Sequence, residues 1–372
     1  MIEVSVILPA KNEEATIGIC IQKIRKVFDD NGIVGEIIVA DNSQDKTPVI
    51  AKDLGAKVVT PDKYGYGYAY RYAFQYASGK YIIIADADDT YDFIEIPKLL
   101  ATLKSGTDVV IGSRLKGKID KGAMPWHHRW IGNPTLTGFL NTFFKAKISD
   151  AHSGFRAITK EALDKLDLET DGMEFASEMI IEAIKKGLVI NEVPITYHKR
   201  KIEASKLSSF SDGWRHMKFL LTRSPTHLFI YPGLFFLLVG IFLMVSALFK
   251  INISFTPGSH SMVAGSLLTT TGYQIILFGF FARVYEGKYL PKYMTLEKGA
   301  TIGALIFLTG IAFELTLIYQ MMSSGFQFLP LIEQDIFGYS LIIIGIQTFF
   351  SSFVLSTFRV RKSAYGLRKR KE

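Results

Sequence analysis

From Val4 to about Thr226, short apolar runs alternate with charged stretches of helical period. Beyond Thr226 the pattern changes to long apolar segments. Val4–Ala10 (VSVILPA) predicts a strand and Glu13–Asp30 a helix. Glu36–Asn42 (EIIVADN) and Lys46–Leu54 repeat the pair. AKVVTP, YIIIADAD and DVVIGSR predict further strands, separated by helical stretches at Tyr66–Ala77 and Phe93–Lys104. The apolar runs are continuous rather than alternating. Both faces of each strand are therefore expected to be buried, as in an α/β sandwich with a mostly parallel sheet. Ligands gather at the carboxyl ends of such strands. Polar residues stand there: Asn12 and Glu13 after the first strand, Asp41 after the second, Asp86 and Asp88 after the fourth, and Arg114 after the fifth.

The long segments are Leu228–Phe249, Met262–Ala282, Gly299–Met322 and Ile336–Phe358. Each has about twenty residues or more, roughly 30 Å as a helix, enough to cross a bilayer core. The expected organisation is a first domain over 1–208, an amphipathic interfacial helix over 209–226, and a membrane region over 227–372 with a basic tail. The loop between the second and third spans carries Lys288, Lys292 and Lys298, and the tail RVRKSAYGLRKRKE is strongly basic. The other two loops hold only Lys250. The positive-inside rule places the basic loop, the tail and the first domain in the cytoplasm of a multi-pass protein of the cell membrane. MIEVSVILPA has neither a basic start nor an apolar core, so no signal peptide is expected. The net charge of +8 is explained by topology and by attraction to anionic lipid, without nucleic acid. Cys20, the single cysteine, falls among Ile17, Ile21, Ile24 and Phe28 at helical spacing and belongs to a core.

Asp86, Asp88 and Asp89 crowd the end of the fourth strand. Two carboxylates about 4 Å apart repel by roughly 4 kcal/mol at an effective dielectric near 20. A divalent cation bridging to phosphate would offset this, since Mg²⁺ and Mn²⁺ favour carboxylate and phosphate oxygens. Asp86 and Asp88 are the candidate ligands, while Asp89 and Asp92 read as caps for the following helix. The stretches PWHHRWIGNPTLTGFLNTFFK and Ser211–Arg223 mix aromatic, apolar and basic residues and suit helices in the headgroup layer. In the second, Trp214, Met217, Leu220 and Leu221 share one side. YGYGYAYRYAF lacks the third glycine of a dinucleotide fingerprint and follows the third strand, so it reads as a turn. Glu314 inside the third span calls for a partner such as Gln347, or a protonated place in the bundle.

VSVILPAKNEEATI, EIIVADNSQDKT, IIIADADDT and VVIGSR resemble family 2 glycosyltransferases of the GT-A fold. SDAHSGFRAI, EFASEMIIEA and EASKLSSFSDGWRH narrow the resemblance to polyprenyl-phosphate sugar synthases, similar to dolichyl-phosphate mannose and glucose synthases. The resemblance implies a nucleotide-sugar-binding GT-A domain followed by a four-helix transmembrane region. It implies that Pro9, Ala10, Asn12, Glu13 and Asp41 hold the nucleotide base and ribose. Asp86, Ala87 and Asp88 would line the donor diphosphate, with Mg²⁺ or Mn²⁺ on the two carboxylates. Arg114 and Arg129 would grip the acceptor phosphate, with Asn133 near the place where relatives carry serine. Arg200 or Lys201, with Ser205 and Lys206, resembles a loop that closes over the diphosphate. Thr90 stands where mannose-synthase-like members have glutamine.

A dianionic lipid phosphate is already a nucleophile, so in-line displacement with inversion needs positioning more than a base. Glu174 and Glu178, one helical turn apart, are either a base or sugar-binding pair or solvated helix carboxylates. The expected reaction moves a hexose from UDP-glucose or GDP-mannose to a polyprenyl phosphate. Its partners are nucleotide sugar and membrane lipid, with a homo-oligomer left open. The rival readings are transfer to a phosphate-free lipid or glycan, a lipid-sugar flippase or sensor, and a nucleotide-sugar-binding scaffold.

Overall fold

The computed structural model describes residues 2–200, 209–252, 254, 256–286, 295–325 and 331–368. Lys201, Ser205, Lys206, Lys288 and Lys292 lie outside the described residues. The chain divides into two compact units, Met1–Leu220 and Leu221–Glu372.

In the first unit the elements run β1 (Val4–Ala10), α1 (Ile17–Asn31), β2 (Gly35–Asp41), α2 (Thr47–Asp53), β3 (Lys57–Val59) and α3 (Tyr66–Phe74). Then come β4 (Tyr81–Ile84), α4 (Ile96–Lys104), β5 (Val109–Ile119), α5 (Asn133–Phe144), β6 (Arg156–Thr159) and α6 (Lys160–Lys165). α7 (Phe175–Lys185), β7 (Ile190–Tyr197) and α8 (Ser209–Thr222) complete it. Among the described residues the strands form one seven-stranded sheet of order β3-β2-β1-β4-β6-β5-β7. β1 pairs in parallel with β2 and β4, β2 with β3, and β5 with β7. β6, which the strand pattern does not announce, runs antiparallel between β4 and β5.

Successive residues of a strand face opposite sides, and here both sides are core. Val4, Val6 and Leu8 pack with Ile17, Cys20, Ile24 and Phe28 of α1 and with Leu99 and Leu103 of α4. Ile7 packs with Ile38, Ile82 and Ile84, and with Ala69, Tyr70 and Ala73 of α3 and Met179 of α7. This two-sided burial is why the strands read as unbroken apolar runs. Truncating a fully buried Ile such as Ile7 to Ala would cost about 2–5 kcal/mol. A third cluster joins Ile111, Leu136, Leu140, Ile180 and Leu220, with Met217 packed against it. The apolar side expected to lie on lipid is thus divided. Leu136, Leu140, Met217 and Leu220 face protein, while Trp126, Trp130 and Trp214 remain 68%, 69% and 61% exposed.

The second unit holds α9 (Tyr231–Leu248), α10 (Ser259–Tyr285), α11 (Leu296–Ser323) and α12 (Ile332–Arg368). Among the described residues four helical stretches, Thr226–Leu248, Ser259–Tyr285, Leu296–Ser323 and Ile332–Phe358, are long and apolar enough to cross a membrane. α9 and α10 close on glycine: a methyl on Gly272 would lie 2.4 Å from the Leu237 backbone nitrogen. α11 and α12 do the same, where a methyl on Gly303 would lie 2.5 Å from the Phe349 nitrogen. Between α10 and α12 apolar contacts, Phe281 edge-on to Phe358 at 6.3 Å and Ile336 and Phe337 against the cluster of Met262, stand beside polar ones. Ser266 and Ser340 hydroxyls meet at 2.8 Å, Tyr273 and Thr348 at 2.6 Å, and the Ser259 hydroxyl donates to Glu333 at 2.8 Å. The expected partner of Glu314 is corrected. Its carboxylate lies against Gly338 of α12, and Gln347, nine residues further on, is about 13 Å along the helix axis.

Candidate active site

β4 ends at Ile84, and the chain leaves the sheet through Ala85 into Asp86-Ala87-Asp88. The Tyr66 hydroxyl donates to Asp86 Oδ1 at 2.8 Å. Asp88 Oδ1 accepts from the Thr90 amide at 3.1 Å and the Thr90 hydroxyl at 2.6 Å, and Asp88 Oδ2 pairs with Nη2 of Arg200. Thr90 is therefore occupied in orienting Asp88. Burial and then the charge of Asp88 push the Asp86 carboxyl up to about 7, against the Tyr66 bond and the more distant Arg114 and Arg200. Two neighbouring carboxylates, Asp88 buried and Asp86 half-buried, are short of positive charge, and on Asp88 a guanidinium already stands in for a cation. This donor set fits a divalent metal. No group of three or more His, Cys, Asp or Glu side chains suited to a metal occurs among the described residues. A phosphate-bearing ligand would have to supply the rest of the shell.

The two neighbouring carboxylates differ from expectation in one case. Asp92 does cap the helical turn at Phe93–Glu95, accepting from the Ile94 amide at 3.1 Å. Asp89 does not: it takes a left-handed backbone, φ +59°, and pairs with Lys23 of α1, sixty-six residues away.

The loops after β1 and β2 are tied to each other. Pro9 and Ala10 lie in register with Ala40 and Asp41. The Asn12 amide donates to Ser43 Oγ at 2.7 Å, and Asn12 Oδ1 accepts from the Gln44 amide at 2.9 Å. The Glu13 amide donates to Thr47 Oγ1 at 2.9 Å. Asp41 is buried and accepts the Ser43 hydroxyl at 2.5 Å. The residues expected to bind a nucleotide thus include several that also hold their loops in shape.

Arg114 lies within β5 and is gripped by Asp150. Nε donates to Oδ2 and Nη2 to Oδ1, each at 2.8 Å, and the guanidinium lies 5.2 Å from the Tyr197 ring centre. Burial opposes the Arg114 charge, but Asp150 outweighs it and keeps the guanidinium protonated; Arg114 in turn holds the buried Asp150 carboxyl below the usual range. Any phosphate contact by Arg114 must use N–H groups that Asp150 leaves. Arg129 lies on the helical turn His128–Gly132, 5.3 Å from the Trp130 ring centre, and Asn133 opens α5 with its side chain on Met124. A cavity of about 540 Å³ adjoins Arg200, lined by Lys23, Asp89, Asp120, His198, Lys199 and Arg200.

Glu178 is neither solvated nor free. It is 2% exposed and accepts from the Glu169 amide at 3.1 Å, the Thr170 amide at 2.9 Å and the Thr170 hydroxyl at 2.6 Å. Its work is to hold the 169–170 loop. Glu174 differs, since its Oε2 is buried without a hydrogen-bond partner among the described residues. Three residues of the site are not evident from the sequence: Tyr66, Asp150 and Gly154. Only the alternation of tyrosine and glycine running into α3 hints at the first.

Comparison with known proteins shows the family and the fold. The description Glycosyl transferase family 2 matches residues 5–167, and Glycosyltransferase family 2 C-terminal transmembrane region matches residues 287–359. The low-salt glycan biosynthesis hexosyltransferase Agl6 of Haloferax volcanii is 44% identical over 365 residues, covering 95% of this chain and 88% of that protein. A dolichyl-phosphate hexose transferase of the same organism is 33% identical over 213 residues, 57% of this chain and 89% of that protein. The structure of glucosyl-3-phosphoglycerate synthase from Mycobacterium tuberculosis, in complex with Mn²⁺, UDP and glucosyl-3-phosphoglycerate, superposes with a TM-score of 0.50 at 26% identity. The match covers 60% of this chain and 80% of that one.

Proposed function

The chain belongs to glycosyltransferase family 2, and from that membership we propose that it transfers a hexose from a nucleotide sugar to the phosphate of a membrane polyprenyl phosphate of the dolichyl type. Its GT-A fold and its activity as a glycosyltransferase follow from the family, and its apolar helices make it a membrane protein. The acceptor reading draws on the relative that is a dolichyl-phosphate hexose transferase. The donor is UDP-glucose or GDP-mannose, and the product is a lipid-linked sugar that a later glycosylation step would consume.

The observation that carries the proposal is the pair of carboxylates at the end of β4, Asp86 held by the Tyr66 hydroxyl and Asp88 by Thr90 and Arg200, with burial and then the charge of Asp88 raising Asp86. Asp86 and Asp88 would hold Mg²⁺ or Mn²⁺, which would neutralise the leaving diphosphate. The relative with Mn²⁺ and UDP in its crystal structure supports that assignment. Arg200, which pairs with Asp88, would exchange that carboxylate for diphosphate when donor arrives, with Ser205 and Lys206 following it in the chain. Pro9, Ala10, Asn12, Glu13 and Asp41 would seat the nucleoside. Arg114, Arg129 and Asn133 would receive the acceptor phosphate; Arg is suited to a planar grip on phosphate oxygens. A phosphate dianion attacks the anomeric carbon without a protein base, so displacement inverts the configuration. The exposed Trp126, Trp130 and Trp214 suit the headgroup layer, where the acceptor phosphate lies. The catalytic domain and the basic tail face the cytoplasm in this reading.

The test uses the purified full chain in detergent with Mg²⁺ or Mn²⁺ and a panel of UDP- and GDP-sugars. Polyprenyl phosphate and the unphosphorylated polyprenol are offered as acceptors. Transfer should occur to the phosphate only, disappear with a chelator, and give an inverted product in a single turnover. Equal transfer to the alcohol, or undiminished transfer by Asp86→Ala and Asp88→Ala, would overturn the proposal.

A further inference from the structure

The segment Tyr64–Phe74, YGYGYAYRYAF, is built to deliver one hydroxyl. Gly65 has φ +157°, and a Cβ there would lie 2.4 Å from the Asp171 carbonyl oxygen. A Cβ on Gly67 would lie 2.5 Å from the Thr170 carbonyl oxygen and 2.7 Å from Phe175 Cβ. The missing side chains let the start of α3 press against the loop before α7, where the Gly67 and Tyr68 amides donate to the Asp171 carbonyl at 2.9 and 3.2 Å. That loop is the one Glu178 holds through residues 169 and 170. Tyr66 lies between the two glycines. Its ring stands edge-on to Tyr70 at 5.1 Å and to Phe175 at 6.5 Å, and its hydroxyl reaches Asp86 Oδ1.

The other oxygen of Asp86 is confined from a second direction. A Cβ on Gly154 would come within 2.8 Å of Asp86 Oδ2 and 3.0 Å of Tyr66 Oη. The Gly154 amide is itself fixed by donating to the Tyr91 hydroxyl at 2.7 Å. One carboxylate oxygen is therefore hydrogen-bonded and the other abuts bare backbone, so the side chain has little freedom to turn.

We propose that Tyr66 is a positioning residue for Asp86: clamped between Gly65 and Gly67, its hydroxyl fixes the carboxylate so that Oδ2 is presented to a divalent cation. The inference rests on the reading of Asp86 and Asp88 as cation ligands. Hydrogen-bond partners of metal ligands commonly govern affinity by about 10- to 100-fold.

The experiment titrates Mn²⁺ into the full-length protein with UDP or GDP, whichever is the nucleotide of the sugar donor that supports turnover, and counts free Mn²⁺ by EPR. Tyr66→Phe keeps the ring and its aromatic contacts. It should weaken Mn²⁺ binding by about 10-fold or more, raise the Mn²⁺ concentration needed for half-maximal rate to match, and leave kcat at saturating Mn²⁺ within a few-fold of wild type. Gly154→Ala pushes on the same two atoms without removing the hydroxyl and should also weaken Mn²⁺; it carries the test if Tyr66→Phe fails to fold by circular dichroism. Asp86→Asn separates the two claims. If it abolishes Mn²⁺ binding while Tyr66→Phe and Gly154→Ala bind as wild type, the positioning role is overturned and the metal site stands. If Asp86→Asn binds Mn²⁺ unchanged, the underlying reading falls.

Discussion

Asp150 holds Arg114 through two parallel bonds of equal length, one from Nε and one from Nη2, in a place where Asp150 is wholly buried and Arg114 is 7% exposed. Removing one partner of a buried pair strands the other charge, at a cost of about 3–5 kcal/mol. Asp150→Ala should therefore lower the denaturation midpoint strongly. Arg114→Met with Asp150→Leu should regain much of the stability and none of the transfer activity. Thermal unfolding of the three variants, followed by circular dichroism, checks this.

The same pair sets an acid limit. Despite burial, Arg114 holds the folded-state pKa of Asp150 below its unfolded value. Such a group contributes its full stability above the unfolded value, near 4, and loses it as pH falls through the folded one. Midpoints measured from pH 6 down to pH 3 should fall most steeply below about pH 4 in wild type. In the Arg114→Met, Asp150→Leu variant this part of the slope should be absent.

Glu178 accepts two backbone amides and a hydroxyl ahead of its own helix. Hydrogen bonds to a charged group are worth about 1.5–3 kcal/mol each. Glu178→Ala should destabilise the first unit by about 3 kcal/mol, and amide exchange at residues 169–171 should accelerate. Unchanged exchange there would show that the carboxylate does not hold the loop.

Cys20 lies in the core beneath β1, and burial pushes its thiol up to about 12. At pH 8 it is a neutral thiol shielded from reagent. The native protein should release no colour with an aromatic disulfide reagent over an hour, and one equivalent after denaturation. Rapid reaction in the native state would mean that α1 opens locally.

What was legible in the sequence was what local pattern encodes. The strands from Val4 to Arg114 were visible because two-sided burial writes unbroken apolar runs, and the membrane helices because of their length. β6 was not: it is four residues long with a buried Arg156 at its start, and nothing local says that it inserts antiparallel between β4 and β5. Asp89 looks like a cap in the sequence because caps are defined by near neighbours, whereas Lys23 reaches it from a distant helix. Glu174 and Glu178 look alike by spacing, and only the path of the chain before α7 distinguishes them. Tyr66 was hidden for the same reason, since its partner Asp86 is twenty residues away.

The glycine contacts of the second unit have a mechanical consequence. Each hairpin, α9 with α10 and α11 with α12, is welded by backbone against backbone, while hydroxyl bonds join α10 to α12. Interhelical side-chain bonds in a bilayer are worth only about 0.6 kcal/mol each on average. Strain imposed by bilayer thickness or lateral pressure would therefore be relieved by shear along the α10–α12 joint, which is made by side chains alone, with the two hairpins travelling as stiff plates and their internal register preserved.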